Sequence, residues 1–500
     1  MRLPISYIKL FSLVYISFAL FPFFLGWTRL EYGIPLSLLL GLGYINFYKS
    51  LDFSHKEYFS KKSLIFALII VVIWVGFSGA GGMGYQYSDL FKSNTLIKDL
   101  TLNSWPLEYD VAGEKMYLSH YLSYYLPGPA LVGFIGYKWA QLFLFFYTLL
   151  GISLGVFWLG RFAKGNLGSF AFFFVLFGGI ASFALLFKYG GQAFGQLWDR
   201  VINHGYLFWL NSQNVIPLNY ITICDMLYWT PQHVIPALFG VGFILNDVFI
   251  DRDIRFLPFT VSLLAMWSPL VLVGILPFFL FGLFYRRFDG IWHYTNLIIA
   301  PIIFGVVAVF LLAIESQDLI KHFILTDLSE RGISIGDQVW VYLQFIFFEV
   351  LIWAIPVFWV LKSDFEKGHK VLFGLTILLL TCIPLYRFGL WNDWCNRVSM
   401  PALVILAIFA FKAFKMAKSI KKLVLGFIFI LGTHGATIGI LGSFIESGYF
   451  FKFNPPSQNA VLTLHEICVG YPIAQFVASE DAFFFKYVAK KPESEKNLME

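Results

Sequence analysis

The sequence predicts an all-α integral membrane protein, a polytopic helical bundle, on three observations. Of its 500 residues, 58% are hydrophobic and only 13% charged, where a soluble globular chain carries roughly 25% charged residues. The apolar residues come in long runs without the two-residue alternation of a membrane barrel, and backbone groups inside lipid have no water to bond, so the runs must be helices. Lys and Arg fall in short clusters beside those runs, where they set orientation.

A bilayer core of ~30 Å takes about 20 apolar residues per helix. The first run, 5–27, follows the basic start MRLP and has no small-residue cleavage site behind it, so it reads as a retained span rather than a removed signal peptide. Further runs are 33–48, 63–79, 139–160, 166–187 and 231–249. Within 256–285, Pro258, Pro269 and Pro277 punctuate two short spans. The series ends with 293–314, 339–361, 371–386, 399–415 and 422–441. The total is about 13 transmembrane helices, between about 11 and about 14.

Basic residues test that threading. Lys49, Lys56, Lys61 and Lys62 follow the second span, Arg161 and Lys164 the fourth, Arg252 and Arg255 the sixth, and Arg286 and Arg287 the eighth. Lys362, Lys367 and Lys370 follow the tenth, and Lys412, Lys415, Lys418, Lys421 and Lys422 surround the end of the twelfth. Alternation puts every cluster on one side, which the positive-inside rule makes cytoplasmic. The expectation is a multi-pass protein of the cytoplasmic (inner) membrane with a cytoplasmic N-terminus. Residues 1–441 form the transmembrane domain, and 80–137 are a large first outer loop. The tail, 442–500, lies on the outer face, with about ten disordered residues at its end. The segment YLSHYLSYYLPGPALVGFIGY, 117–137 of that loop, reads as an interfacial or re-entrant helix with tyrosines at headgroup level.

Several function classes fall away. No P-loop, Rossmann glycine fingerprint or HExxH motif is present. The net charge of +6 is dispersed in clusters flanking spans, so no nucleic-acid partner is expected. Cys224, Cys382, Cys395 and Cys468 have no metal or redox spacing and read as apolar filler. No internal repeat suggests a transporter of inverted halves.

Polar residues concentrate in outer loops. Gln86, Asp89, Lys92, Asn94, Lys98, Asp99, Glu108 and Asp110 crowd the stretch after the glycine-rich exit Gly79, Gly81, Gly82, Gly84. A carboxylate at Asp89 is placed to act as a general base on an incoming hydroxyl; at helical spacing Asp89 and Lys92 share a face, which also suits an ordinary ion pair. Gln232 and His233 stand at the start of a span behind Pro231, where an imidazole binds phosphate, shuttles a proton or simply caps and packs. The loop YRFGLWNDWCNRVSMPAL carries Arg387, Asn392, Asp393, Asn396 and Arg397, and its two guanidiniums suit bidentate phosphate binding or snorkelling to headgroups. Lesser candidates are Glu349 and His434 inside spans, and Asp318, Lys321, His322 and Arg331 in another outer loop.

The motifs Asp89-x-x-Lys92-x-Asn94, Ile97-Lys98-Asp99-Leu100, Trp105-Pro106-Leu107, Trp229-x-Pro231-Gln232-His233 and Asn392-Asp393-x-x-x-Arg397-x-Ser399-x-Pro401-Ala402-Leu403 resemble a group of large bacterial membrane proteins. That group is similar in plan to the GT-C superfamily of glycosyltransferases, and the resemblance covers most of residues 63–415. It implies a multi-spanning enzyme with an outer-face active site that takes sugar from a polyprenyl-phosphate-linked donor. Asp89 is then the catalytic base, with Gln86, Lys92, Asn94, Lys98, Asp99, Gln232, His233, Asn392 and Asp393 around the substrate. His233, Arg387 and Arg397 are candidates for the lipid phosphate. Many such enzymes carry a paired-acid signature, whereas Leu90 and Phe91 follow Asp89 here, so a divalent cation such as Mg or Mn is left open.

The function expected is inverting transfer of a sugar to a glycan, lipid or protein acceptor. The alternatives are a transporter or flippase for a lipid-linked or anionic solute, with Glu349, His434 and Arg397 along its path, and a noncatalytic scaffold of envelope assembly.

Overall fold

The computed structural model describes residues 1–111, 113–180, 209–211, 214–216, 218, 220–314, 321–324, 334–389, 392–462, 464–467 and 473–491. About 70% of the described residues are helical. Helices stand at the apolar runs in order: α1 (Ile5–Trp27), α2 (Leu30–Ser50) and α3 (Lys61–Gly76), then α4 (Ser88–Leu102) and the short α5 (Pro127–Val132) within the first loop. Next come α6 (Tyr137–Ala163), α7 (Leu167–Leu176), α8 (Ile223–Trp229), α9 (Pro231–Ile250), α10 (Leu257–Ser262) and α11 (Pro269–Tyr285). The series closes with α12 (Thr295–Leu311), α13 (Ile335–Leu361), α14 (Lys367–Leu385), α15 (Met400–Met416) and α16 (Ser419–Glu446). Among the described residues, six of these are long and apolar enough to cross a membrane: α1, α6, α9, α13, α14 and α16. The last runs to Glu446, past the expected domain boundary at 441.

Short strands occupy the helix ends. β1 (Arg2–Pro4) pairs with β2 (Lys56–Tyr58), and β3 (Glu108–Val111) forms a hairpin with β4 (Glu114–Leu118). Two further antiparallel pairs are β5 (Trp209–Asn211) with β6 (Asn214–Ile216) and β7 (Lys321–Phe323) with β8 (Tyr386–Phe388). β9 (Val477–Ser479), from the tail, adds to β4.

At the centre, α6 lies against α9. Small residues permit the close approach that van der Waals packing inside a membrane requires: Gly155 of α6 faces Leu238, and Gly242 of α9 faces Trp158. The two positions expected to be short spans between 256 and 285 are unequal. α10 has six residues and rises only ~9 Å, yet the chain still reverses there. The Arg286 guanidinium, beyond the end of α11, donates to the carbonyl of Arg252 at 2.8 Å, while Ser268, at the start of α11, touches His233 at the opposite end of α9.

The basic clusters meet at one end of the bundle. Arg161 is bidentate to Glu57 at 3.1 Å and also reaches Asp251 at 2.6 Å. Lys9 pairs with the same Asp251 at 3.3 Å, and Lys415 donates to the Lys164 carbonyl at 2.7 Å. The first loop, the turn Trp394–Val398 and the tail occupy the other end.

Of the segment 117–137 expected as one helix, only Pro127–Val132 (α5) and the short turn Gly133–Ile135 are helical. Residues 119–126 form turns rather than a helix, and the aromatic run is inside the protein, with Tyr124, Tyr125 and His120 buried. Aromatic periodicity alone does not distinguish a headgroup belt from a polar core. The core wins here because partners exist: Tyr124 Oη meets Thr148 Oγ1 at 2.9 Å, and Ser119 Oγ donates to the Phe310 carbonyl at 2.6 Å. The tail packs along the first loop. Gly84 N donates to the Lys452 carbonyl at 3.1 Å, and Lys490 N to that of Trp27 at 3.0 Å.

Candidate functional site

The site begins with the glycine exit from α3. Gly81 has φ +60°, and a Cβ there would collide with the backbone of Gln141 and Phe145 in α6. Only glycine permits both the left-handed turn and the approach. The exit aims α4 so that Asp89, in its first turn, lies half-buried at the loop end of the bundle.

Burial pushes the Asp89 carboxyl above the usual carboxylate range, against the opposing pull of Lys92 and Arg397 and with a smaller push from Asp393. The charges that act on Asp89 thus come from two distant parts of the sequence, its own helix α4 and the segment from Asp393 to Arg397. Arg397 in turn pairs with Asp393 at 2.9 Å, one helical turn away. Two carboxylates and two cations therefore face one another across the region between α4 and the turn Trp394–Val398.

Two histidines complete the group. His120 is buried, its Nε2 has no hydrogen-bond partner among the described residues, and burial together with the charges of Lys92 and Arg397 holds its imidazole well below the ordinary histidine range. The charges of Lys92, Arg397 and His120 also act on His233, which is buried in the first turn of α9. Its Nδ1 meets Ser268 Oγ at 2.7 Å, and its Nε2 meets Tyr121 Oη at 3.3 Å. Ser268 is itself fixed as the N-cap of α11, accepting from Val271 N at 3.3 Å. His233 therefore acts toward any ligand through the half-buried Tyr121. Gln232, beside it, is buried with its Oε1 unpartnered.

The tail closes one side. The Lys92 ammonium lies 5.1 Å from the ring centre of Phe476, and His120 packs against the same ring at 5.3 Å. The negative face of the ring attracts the ammonium and holds it beside His120.

Among the residues singled out from the sequence, the structure gathers Asp89, Lys92, His233, Asp393 and Arg397. Several of the others are bonded elsewhere. Asn94 exchanges hydrogen bonds with Gln86 and accepts from Gln141 Nε2 at 2.9 Å, tying the loop to α6. Lys98 donates to the Val461 carbonyl at 2.9 Å, and Asp99 accepts from Tyr109 Oη at 2.9 Å. Asn392, at φ +54°, accepts from Cys395 N at 3.2 Å and caps the turn. Arg387 is buried in β8 opposite His322 of β7, and its charge is not among those acting on Asp89, His120 or His233 within the described residues.

Glu349 is buried in α13 against Gly179, and His434 is half-buried in α16. Lys321 and His322 lie in β7, whereas Asp318 and Arg331 fall outside the described residues. Cys224 and Cys395 are buried and Cys382 is exposed, and Cys468 falls outside the description. Among the described residues no group of three or more His, Cys, Asp or Glu is arranged to hold a metal ion.

His120, Tyr121, Ser268 and Phe476 escaped the sequence reading. A histidine inside an aromatic run was the available signal for the first two, and the Ser268-Pro269 helix start for the third. Phe476 gave none, because its role depends on where the tail lies. No protein-family model matches this chain, and neither a curated protein nor a solved structure is similar to it.

Proposed function

We propose that this is a membrane transferase of the GT-C type, with about 13 spans, working at the loop end of the bundle on a sugar carried by a polyprenyl phosphate. The single observation that carries the reading is that the charges of Lys92 and Arg397 act together on Asp89, His120 and His233, groups that come from four separate parts of the chain. The basic end of the bundle is then cytoplasmic, and the site faces outward.

A desolvated carboxylate is a stronger proton acceptor than one in water. Asp89 takes the acceptor's hydroxyl proton as that oxygen attacks the anomeric carbon, and the bond to the donor phosphate breaks on the opposite face, inverting the centre. Lys92 and Arg397 stabilise the charge that collects on the departing phosphate. Phosphate leaves readily, so one prominent carboxylate suffices. The His233–Tyr121 pair positions substrate, its orientation fixed by Ser268.

The test is transfer from synthetic polyprenyl-phospho-sugars by purified protein, wild type against Asp89→Asn. The variant is expected to lose about 10²- to 10⁴-fold in rate, the usual contribution of a general base. Equal rates would remove Asp89 from the role. No turnover with any donor, alongside intact folding, would favour transport of a lipid-linked or anionic solute.

A further inference from the structure

At the opposite, basic end, a cavity of 300 Å³ opens between the C-terminus of α6, the start of α14 and the last turns of α15. Four cations line it, Lys164, Arg252, Lys412 and Lys415, against two carboxylates, Asp364 and Glu366. One of its polar groups, His369, lacks the partner that burial normally demands, and Lys412 is a half-buried cation with no paired carboxylate among the described residues. The Lys412 ammonium sits 3.7 Å from the ring centre of Phe162. His369 Nε2 is buried with no hydrogen-bond partner among the described residues, its ring held 4.7 Å from that of Phe249. The volume lies at the small end of ligand pockets, roughly 300–1,000 Å³.

We propose that this cavity binds a phosphate-bearing anion, with Lys412 and His369 as its direct ligands and Lys164 and Arg252 at its mouth. A phosphate oxygen is an acceptor for the orphaned His369 Nε2 and for the Lys412 ammonium together, and the surplus of cations selects an anion over a metal ion. The aromatic walls, Phe162, Phe249 and Phe409, accommodate whatever apolar stem carries the phosphate. Phosphate at this end comes either from a phospholipid headgroup in the adjacent leaflet, as basic pockets between membrane helices recognise, or from a soluble phosphate ester. The site is remote from Asp89 and does not depend on the proposed transfer reaction.

Peptide-resolved acylation of Lys412 by an amine-reactive reagent tests the assignment on the wild-type, full-length protein. Inorganic phosphate is added in neutral detergent in one arm, and phosphatidylglycerol is introduced into phosphatidylcholine nanodiscs in the other. One probe is expected to slow modification of Lys412 about tenfold, the worth of one charge-assisted hydrogen bond, while exposed Lys418 on the same face keeps its rate. Protection by phosphate in detergent identifies a soluble ester; protection only by phosphatidylglycerol identifies a headgroup. Lys412→Gln and His369→Phe should each abolish thermal stabilisation by the protecting probe. Unchanged Lys412 reactivity with both probes, or equal slowing at Lys418, overturns the proposal.

Discussion

Asp89 and Asp225 show how burial acts on two carboxyls of the same loop region with different consequences. Asp89 must be ionised to accept a proton, and its carboxyl titrates above the ordinary carboxylate range because it is desolvated. Transfer rate should therefore fall as pH drops through that raised value, and a rate–pH profile in which the acid limb sits at or below the normal aspartate range of roughly 4 would contradict the assignment. Asp225, in α8, is pushed up to about 7 by burial, although its bond from Thr222 Oγ1 at 2.8 Å pulls the other way. A raised carboxyl favours the fold while protonated, so its contribution is intact below the unfolded value of about 3.9 and is lost as pH rises towards 7. Asp225→Asn should raise the melting temperature at pH 8, by a stabilisation of at most a few kcal/mol, and the gain should vanish near pH 4. Thermal unfolding of both proteins across that range checks it. Asp89 was legible as a candidate because a charged residue stood beyond an apolar run; His120 was not, because its role depends on burial.

At the scale of elements, the bundle's functional end is built by loops that need particular backbone shapes. Gly81→Ala places a methyl group against the backbone of α6 and forces a left-handed residue, so it should cost about 1–3 kcal/mol and lower transfer activity by displacing α4. Gly113→Ala is the control: its φ is +86°, but a Cβ there meets nothing, so its effect should be confined to the smaller backbone term, about 1 kcal/mol. Chemical denaturation of the two variants distinguishes collision from conformational strain, and equal losses would deny the close approach of Gly81 to α6. The helices were readable as apolar runs because lipid forces every backbone donor and acceptor to pair within the segment. The segment 119–126 was misread for the converse reason. An amphipathic aromatic run suits a headgroup layer or a polar core equally, and the choice lay with residues as remote as Thr148 and Phe310.

Across the whole molecule, the two ends differ in kind, one gathering basic clusters and the other the long loops and the tail. With the basic end cytoplasmic, cysteine introduced at exposed Asn103 should react with a membrane-impermeant thiol reagent in intact cells. Cysteine at exposed Lys62 should react only after permeabilisation, and the reverse pattern would turn the site inward. Composition and the spacing of apolar runs and basic clusters determined by themselves that this is a helical membrane protein with distinct ends, since those features follow from local transfer energies and charge. Only tertiary structure decided which loop residues meet: Asp89 with Arg397, His233 with Tyr121 and Ser268, Lys92 with Phe476 of the tail. Each of those contacts joins segments far apart in sequence, and their electrostatics exist only after burial has removed the intervening water.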